Sequence, residues 1–364
     1  MKYCTYCGHP NQDNAAFCGK CGRSFEHVQM EAEEKGNGAS SWVDQINDYV
    51  GNDRPADLNW KMLFTDVMKK HTKEEAEDIF ICGTRTTTPA LQDVSRGWPR
   101  PWLYSRVFFM FAMAFALLYV CCSMFGNSNA LPGLIVVGSF TVPLSTMILF
   151  LEVNAFRNIS VYEVIQIFLV GGCASLVATL FLFSIFNVGD LSFWGALMVG
   201  VIEEVGKAVI VYYFIKRIGK YSILSGMLIG ASVGAGFAAF ESAGYAMNFL
   251  VSAGWDVMMD VIFLRGFLAP GGHVTWAAIT GAAMVIAYKN SGTFGTEILT
   301  DKKFLRLFLI PVLLHALWDS PLAQIGSEVY LIPIALTAFV WIVVLILINM
   351  GLAEISHYRN SLIV

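Results

Sequence analysis

Charge is scarce in this chain. Of its 364 residues only 14% are Asp, Glu, Lys or Arg, whereas 56% are hydrophobic. Soluble domains run to about a quarter charged, so a water-exposed globular surface is excluded for most of the chain. A basic run is also lacking, which argues against a nucleic-acid partner. Residues 1–100 hold no apolar stretch long enough for a secretory leader, so this segment is expected to stay in the cytoplasm.

What is present begins with cysteine. Four of the eight cysteines, Cys4, Cys7, Cys18 and Cys21, form two Cys-x-x-Cys pairs. Each pair sets two thiolates on a tight turn, and two such turns close a tetrahedral four-sulfur site. The pattern resembles the small zinc ribbons at the start of many bacterial proteins. Disulfides fit a reducing cytoplasm poorly. A four-cysteine site has no open position, so this zinc is structural. The remaining Cys82, Cys121, Cys122 and Cys173 read as small buried hydrophobes.

The organisation expected is a ribbon over 1–25, a polar linker and cytoplasmic helical segment over 26–102, a transmembrane domain over 103–350 and a cytoplasmic tail over 351–364. Within the second region, Trp42 to Val50 has helical spacing with Gly51 as a stop, a helical patch is predicted over 58–70, and Thr72 with Glu75 suggests a capping box. This region or the ribbon would suit a cytoplasmic protein partner.

From residue 103 apolar runs alternate with short polar breaks. Eight spans are predicted, near 103–125, 131–151, 161–186, 191–214, 222–250, 268–288, 304–321 and 329–350, each close to the length that crosses about 30 Å of hydrocarbon. The fold class is therefore an all-α polytopic bundle. Lys216, Arg217 and Lys220 follow the fourth span, Lys289, Lys302, Lys303 and Arg306 the sixth, and Arg359 the eighth. The opposite breaks carry Asp190, Asp256, Asp260 and Glu328, with Arg265 as the exception. The positive-inside rule then puts both termini in the cytoplasm.

An ionisable residue inside a span costs about 2.5–3.5 kcal/mol on insertion scales, so each needs a reason. The fourth span carries Glu203, Glu204 and Lys207, with Glu203 and Lys207 four apart on one face in the favourable order for an ion pair. One carboxylate can pair with the lysine while the other serves as a base. The fifth span carries Glu241 within a run containing Gly226, Gly230, Gly234 and Gly236, small residues that permit close helix approach. Glu241 has no local partner three or four positions away. His273 opens the sixth span, and the seventh carries His315 and Asp319 four apart, the spacing of an imidazole oriented by a carboxylate.

This order of Glu-Glu-x-x-Lys, Phe-x-x-x-Glu, His and His-x-x-x-Asp on successive spans resembles the PrsW family of bacterial intramembrane proteases, distant relatives of the CAAX prenyl-protein endopeptidases. The resemblance covers roughly residues 100–350 and not the ribbon. It implies a membrane-embedded peptidase, usually classed as metal-dependent, whose known members cleave membrane-anchored anti-sigma factors, and a bacterial source. It also implies that one of Glu203 and Glu204 is the general base, with Lys207 as its neighbour's counter-charge. Glu241, His273 and His315 would be metal ligands or water and oxyanion contacts, and Asp319 would orient the cluster. Zinc suits histidine and carboxylate ligands; a metal-free glutamate mechanism suits the same residues. With the orientation above, the cluster lies from mid-membrane toward the outer face.

Other readings were weighed. Structural ion pairing is disfavoured because Lys207 is the one cation facing three acids. A proton-coupled transporter would show repeated halves, and the acidic motifs occur in spans four to seven alone. A non-catalytic scaffold recruiting partners through its ribbon leaves the intramembrane acids unexplained. Glu152, Asn154 and Arg157, at the end of the second span, read as an interfacial anchor more readily than as site residues. The ribbon assignment has a direct test: replacing Cys18 and Cys21 with Ser removes its zinc, measured by metal analysis, without removing the peptidase chemistry, measured by cleavage.

Overall fold

A computed structural model describes residues 2–3, 10–11, 41–324 and 330–360. The chain divides into two units, Met1–Trp42 and Val43–Val364. In the first unit, β1 (Lys2–Tyr3) pairs antiparallel with β2 (Pro10–Asn11). The four ribbon cysteines and the linker lie outside the described residues.

Elsewhere every regular element is helical. α1 (Trp42–Val50) ends at Gly51 as the spacing predicts. α2 (Lys73–Ile81) is opened by the expected capping box, in which Glu75 N donates to Thr72 Oγ1 and Thr72 N to Glu75 Oε2, both at 3.2 Å. The predicted helix over 58–70 is instead a single tight turn, Trp60–Leu63, followed by irregular turns. Of its apolar residues only Leu63 is buried in the core, with Leu58 packed against it, while Trp60, Phe64 and Met68 are exposed, so the periodic pattern has no buried stripe to hold a helix.

α3 (Leu103–Ser123), α4 (Leu131–Val153), α5 (Val161–Gln166) continued through a π-turn into α6 (Gly172–Ile185), α7 (Phe193–Ile218), α8 (Ile223–Ala253), α9 (Trp255–Leu268), α10 (His273–Ser291), α11 (Lys302–Asp319) and α12 (Leu331–Asn360) form the bundle. Six segments among the described residues are long and apolar enough to cross a membrane. The other two expected spans are α7 and α11. Glu203, Glu204 and Lys207 interrupt the first, and Lys302, Lys303, Arg306 and Asp319 the second, so charge rather than length keeps them out of that set. α9 is the element the sequence reading left as a break. At 14 residues it is about 21 Å long, too short to span alone, and it reverses the chain after α8 at Gly254, whose φ of 92° favours a residue without Cβ.

α8 is the axis of the fold: it is buried throughout Ile223–Ala239, and its last turns, with Tyr245, Met247, Phe249 and Val251, are exposed. Its Gly226, Gly230 and Gly234 recur every fourth residue and form one bare stripe. A Cβ at Gly226 would stand 2.6 Å from Gly281 O; at Gly230 and Gly234 it would collide with the carbonyls of Ala277 and His273. α10 therefore lies directly on α8, backbone to backbone. Gly236, on another face, lets the π-turn approach, its Cβ position 2.8 Å from Gly172 Cα. The same device seats α11 on α7, where a Cβ at Gly200 would be 2.8 Å from Val312 O and 3.0 Å from Ala316 N. These two contacts fix the levels at which Glu204 meets His315 and Phe237 meets His273.

Glu152 accepts hydrogen bonds from the backbone N–H groups of Trp102, Leu103 and Tyr104 at 2.8–2.9 Å. It caps α3, the anchoring role read for it. Of the cysteines expected to be buried, Cys82 is; Cys121 and Cys122 are half-buried and Cys173 is exposed on α6. Glycine's importance can be checked directly. Gly230→Val should destabilise the bundle by about 1–3 kcal/mol through overpacking, read as a lowered Tm in detergent, whereas Gly189→Ala, which meets nothing within 4 Å, should leave it unchanged.

Candidate active site

The ionisable residues singled out in the sequence come together in one buried cluster. On α7, Glu203 and Lys207 share a face and Glu204 lies about 100° around the helix. Lys207 is fully buried; its Nζ is 2.6 Å from Glu204 Oε1, 3.6 Å from Glu203 Oε2 and 2.8 Å from His273 Nδ1. The shorter ion pair is thus with Glu204, three residues away, and Glu203 is the freer carboxylate. Its Oε2 makes no hydrogen bond among the described residues, and neither does Glu204 Oε2.

His315 on α11 sits 2.8 Å by Nδ1 from Glu204 Oε1. An ionised carboxylate only accepts, so Nδ1 carries the proton and Nε2 is left facing Glu203 Oε2 at 3.6 Å and Asp319 Oδ2 at 3.3 Å. An unprotonated Nε2 would repel both oxygens. Either a second proton on the ring or a cation between the three groups removes that repulsion. His273, at the start of α10, is 3.1 Å by Nε2 from Glu241 Oε2, and its Nδ1 meets the Lys207 ammonium.

Glu241 has a second partner that sequence reading missed. Arg265 of α9 pairs with Glu241 Oε2, and its Nε donates to Ser242 Oγ at 2.8 Å. Lys207 is therefore not the only cation of the cluster, which corrects the charge count that disfavoured ion pairing. The signal was present: Arg265 is the one basic residue that breaks the charge pattern of its break. With carboxylates ionised and imidazoles neutral, Glu203, Glu204, Glu241 and Asp319 against Lys207 and Arg265 still leave two negative charges. Burying that excess is unfavourable unless two protons or one divalent cation offset it.

Aromatic rings close the site. Trp276, buried one turn after His273, lies against the His315 ring (centroids 4.7 Å apart, 32°) and edge-on to His273 (5.0 Å, 83°). Phe237 faces the Lys207 ammonium at 4.3 Å. These rings remove water from one side of the ions and add a cation–π contact. Trp276 went unread in the sequence, although its spacing from His273 was a usable clue.

Metal chemistry can be tested against the donors present. Ligand atoms of Glu203, His273 and His315 all lie within 4.8 Å of one another. Two imidazoles and one carboxylate are a set that catalytic zinc takes, and His315 Nε2 is free for it, whereas His273 would have to give up its contact with Lys207 or Glu241 to become a ligand. The unpaired Glu203 Oε2 and the excess negative charge also fit a divalent cation. Glu241, grouped with the histidines on sequence, instead faces Arg265 and His273, one step back from those donors.

A membrane bundle with carboxylates and imidazoles converging in its interior is the arrangement of an intramembrane metalloprotease. Residues 161–348 match the model of the PrsW family intramembrane metalloprotease, and residues 3–25 match a zinc-ribbon domain. The first match covers more than half of the chain, which belongs to the PrsW family. No curated protein and no solved structure matches it.

The Arg265–Glu241 pair yields a double-mutant prediction. Arg265→Met and Glu241→Gln should each destabilise the protein, and the double variant should be destabilised by less than the sum of the two, with a coupling of about 1–3 kcal/mol in thermal unfolding.

Proposed function

We propose that the chain hydrolyses a peptide bond of a membrane-anchored protein, at a water held among Glu203, His273 and His315. The reading is carried by one observation, the convergence of those three donors around the unpaired Glu203 Oε2. Glu203, Glu204, Lys207, Glu241, His273, His315 and Asp319 are its proposed machinery.

In this reading Glu203 is the carboxylate that touches the reacting water and takes its proton. Glu204 holds the His315 tautomer from Nδ1 and neutralises Lys207. The Lys207 ammonium, fixed in a dry site, is a standing positive charge for an oxyanion developing nearby. Asp319 is the most exposed carboxylate of the cluster. Its contact with His315 Nε2 supplies a route by which the proton reaches the leaving amine. Arg265 and Glu241 hold His273 in place through its Nε2. In the alternative with metal, a zinc ion held by Glu203, His273 and His315 would acidify that water and polarise the scissile carbonyl, and Glu203 and His315 Nε2 would then be ligands rather than proton carriers.

The substrate class proposed is a single-span, anti-sigma-factor-like protein cut near the outer end of its anchor. The substrate class and the bacterial cell are what the family resemblance implies, and the outer position of the cut follows from the orientation read from loop charge, with both termini cytoplasmic. The amino-terminal ribbon would bind structural zinc through Cys4, Cys7, Cys18 and Cys21 and offer a cytoplasmic partner surface.

Two measurements test the reading. Glu203→Gln should lower cleavage of a membrane-anchored reporter by roughly a hundred- to ten-thousand-fold while leaving Tm and insertion intact; full activity would refute the assignment. In a variant with all four ribbon cysteines replaced by Ser, about one equivalent of zinc indicates a resident metal that His315→Ala should release. Zinc absent from an active variant would leave the glutamate mechanism standing.

A further inference from the structure

A long apolar groove opens on the side of α9 away from the ionisable cluster. Its volume is about 1060 Å³, and its walls come from α3, α4, α9, α12 and the turn at Trp60–Leu63. On α3 it runs from Tyr104 to Phe115 and on α4 from Gly138 to Leu149. At 1.5 Å per residue each wall is about 17 Å long, half of a hydrocarbon core of about 30 Å. Phe115 and Phe263 meet edge to face at 5.8 Å and separate it from a second, smaller pocket of about 660 Å³ that continues along α3 and α9 to Val120 and Trp255. The compartment on the side of Tyr104 is about one leaflet deep.

That constriction decides the occupant. A spanning peptide helix, about 10 Å wide, would have to pass the Phe115–Phe263 contact, which closes this compartment at about half the core. An unwound peptide would need hydrogen-bonding walls. The hydroxyls of Thr141, Ser145 and Thr146 are already given to the helix carbonyls four residues back, at 2.6–2.9 Å. The walls are therefore apolar in effect, and they suit acyl chains.

The open end has a charge of its own. Trp60, Phe64 and Met68 are exposed large hydrophobics next to the mouth, as in segments that lie in a membrane interface. Among them stand Lys61, Lys69 and Lys70, all exposed, against Asp66, which pairs with Lys69 at 2.7 Å. Arg106, at the start of α3, donates to Lys69 O at 2.9 Å and so adds its guanidinium to the same rim. The rim is net positive at headgroup level.

We propose that this groove is a binding site for one anionic glycerophospholipid of the leaflet on the side of residues 42–100. Its acyl chains lie between α3, α4 and α12, and its phosphate headgroup lies against Lys61, Lys70 and Arg106. The end of α9 roofs the chains. Its Phe263 and Phe267, each two residues from Arg265 and so about 160° around the helix, line the groove, so the lipid and Glu241 press on opposite faces of one short helix.

The test uses detergent-purified full-length protein with phosphatidylglycerol or phosphatidylcholine of the same acyl chains, read by native mass spectrometry and thermal unfolding. Wild type should retain one phosphatidylglycerol, with a raised Tm, and hold phosphatidylcholine at least about tenfold less well. Replacing Lys61, Lys69 and Lys70 together by Gln should bring phosphatidylglycerol down to the phosphatidylcholine level without changing Tm in lipid-free detergent. Ala112→Trp, which fills the groove, should lose retention of both. Equal retention of the two lipids by wild type, an undiminished preference in the lysine variant, or displacement of the lipid by an equimolar transmembrane peptide would each overturn the proposal.

Discussion

The structure turns on a lysine ammonium with no access to water. Lys207 lies in the middle of α7 among bundle helices, where a bare charge would be strongly unfavourable. It is tolerated because Glu204, Glu203, His273 and the Phe237 ring surround it, and those groups come from α7, α10 and α8. One cation thus ties three helices to a common level. Two adjacent acids can occupy one span only while that cation is present, and His273 keeps Nδ1 as an acceptor only because the ammonium donates to it. The helices that bring the partners within reach do so at glycines. Without the bare stripe on α8, α10 would stand off by the width of a side chain, and the lysine would lose its contact with the imidazole.

Charge within the cluster divides into positions already satisfied and positions left open. Glu204 has Lys207 and His315; Glu241 has Arg265 and His273. Glu203 and Asp319 have only His315 Nε2 and a distant lysine between them. The satisfied acids hold the imidazoles, and the open ones face the space where a water or ion would sit. One buried oxygen on each of Glu203 and Glu204 makes no hydrogen bond among the described residues. A purely structural ion network would have no reason to leave them so, whereas a site that binds and ionises water has such a reason.

Which parts were legible in the sequence follows the same physics. Long apolar runs and Gly spacing are local patterns, so the helices of the bundle and the small-residue approach of α8 could be read from them. The capping box at Thr72 and Glu75 is equally local. α9 was missed because its apolar residues carry Asp256, Asp260 and Arg265 among them, which made a short helix look like a polar break. Arg265 was missed as a partner for a related reason: Glu241 and Arg265 are 24 residues apart, across a chain reversal that no periodicity announces. The choice between Glu203 and Glu204 as the lysine's partner was also not local, since α11 decides it by placing His315 against Glu204.

α9 changes how the membrane domain is to be understood. Too short to span alone, it runs on into α10 as one apolar segment, Trp255–Ser291, and it supplies the second cation of the cluster from one face and the roof of an acyl-chain groove from the other. Gly254 at one end and Pro270-Gly271-Gly272 at the other make it a short rigid piece between two flexible joints. Trp341 Nε1 donates to Pro270 O at 3.0 Å and ties the second joint to α12. A displacement of this helix would reach His273 by two routes, through Arg265 and Glu241 and through the short joint at residues 269–272 that leads directly into α10. The Arg265 contact is partly exposed, whereas the Lys207 contacts are fully buried. The outer link of the first route is thus the one most open to solvent and lipid, and the inner link is the one best protected from both.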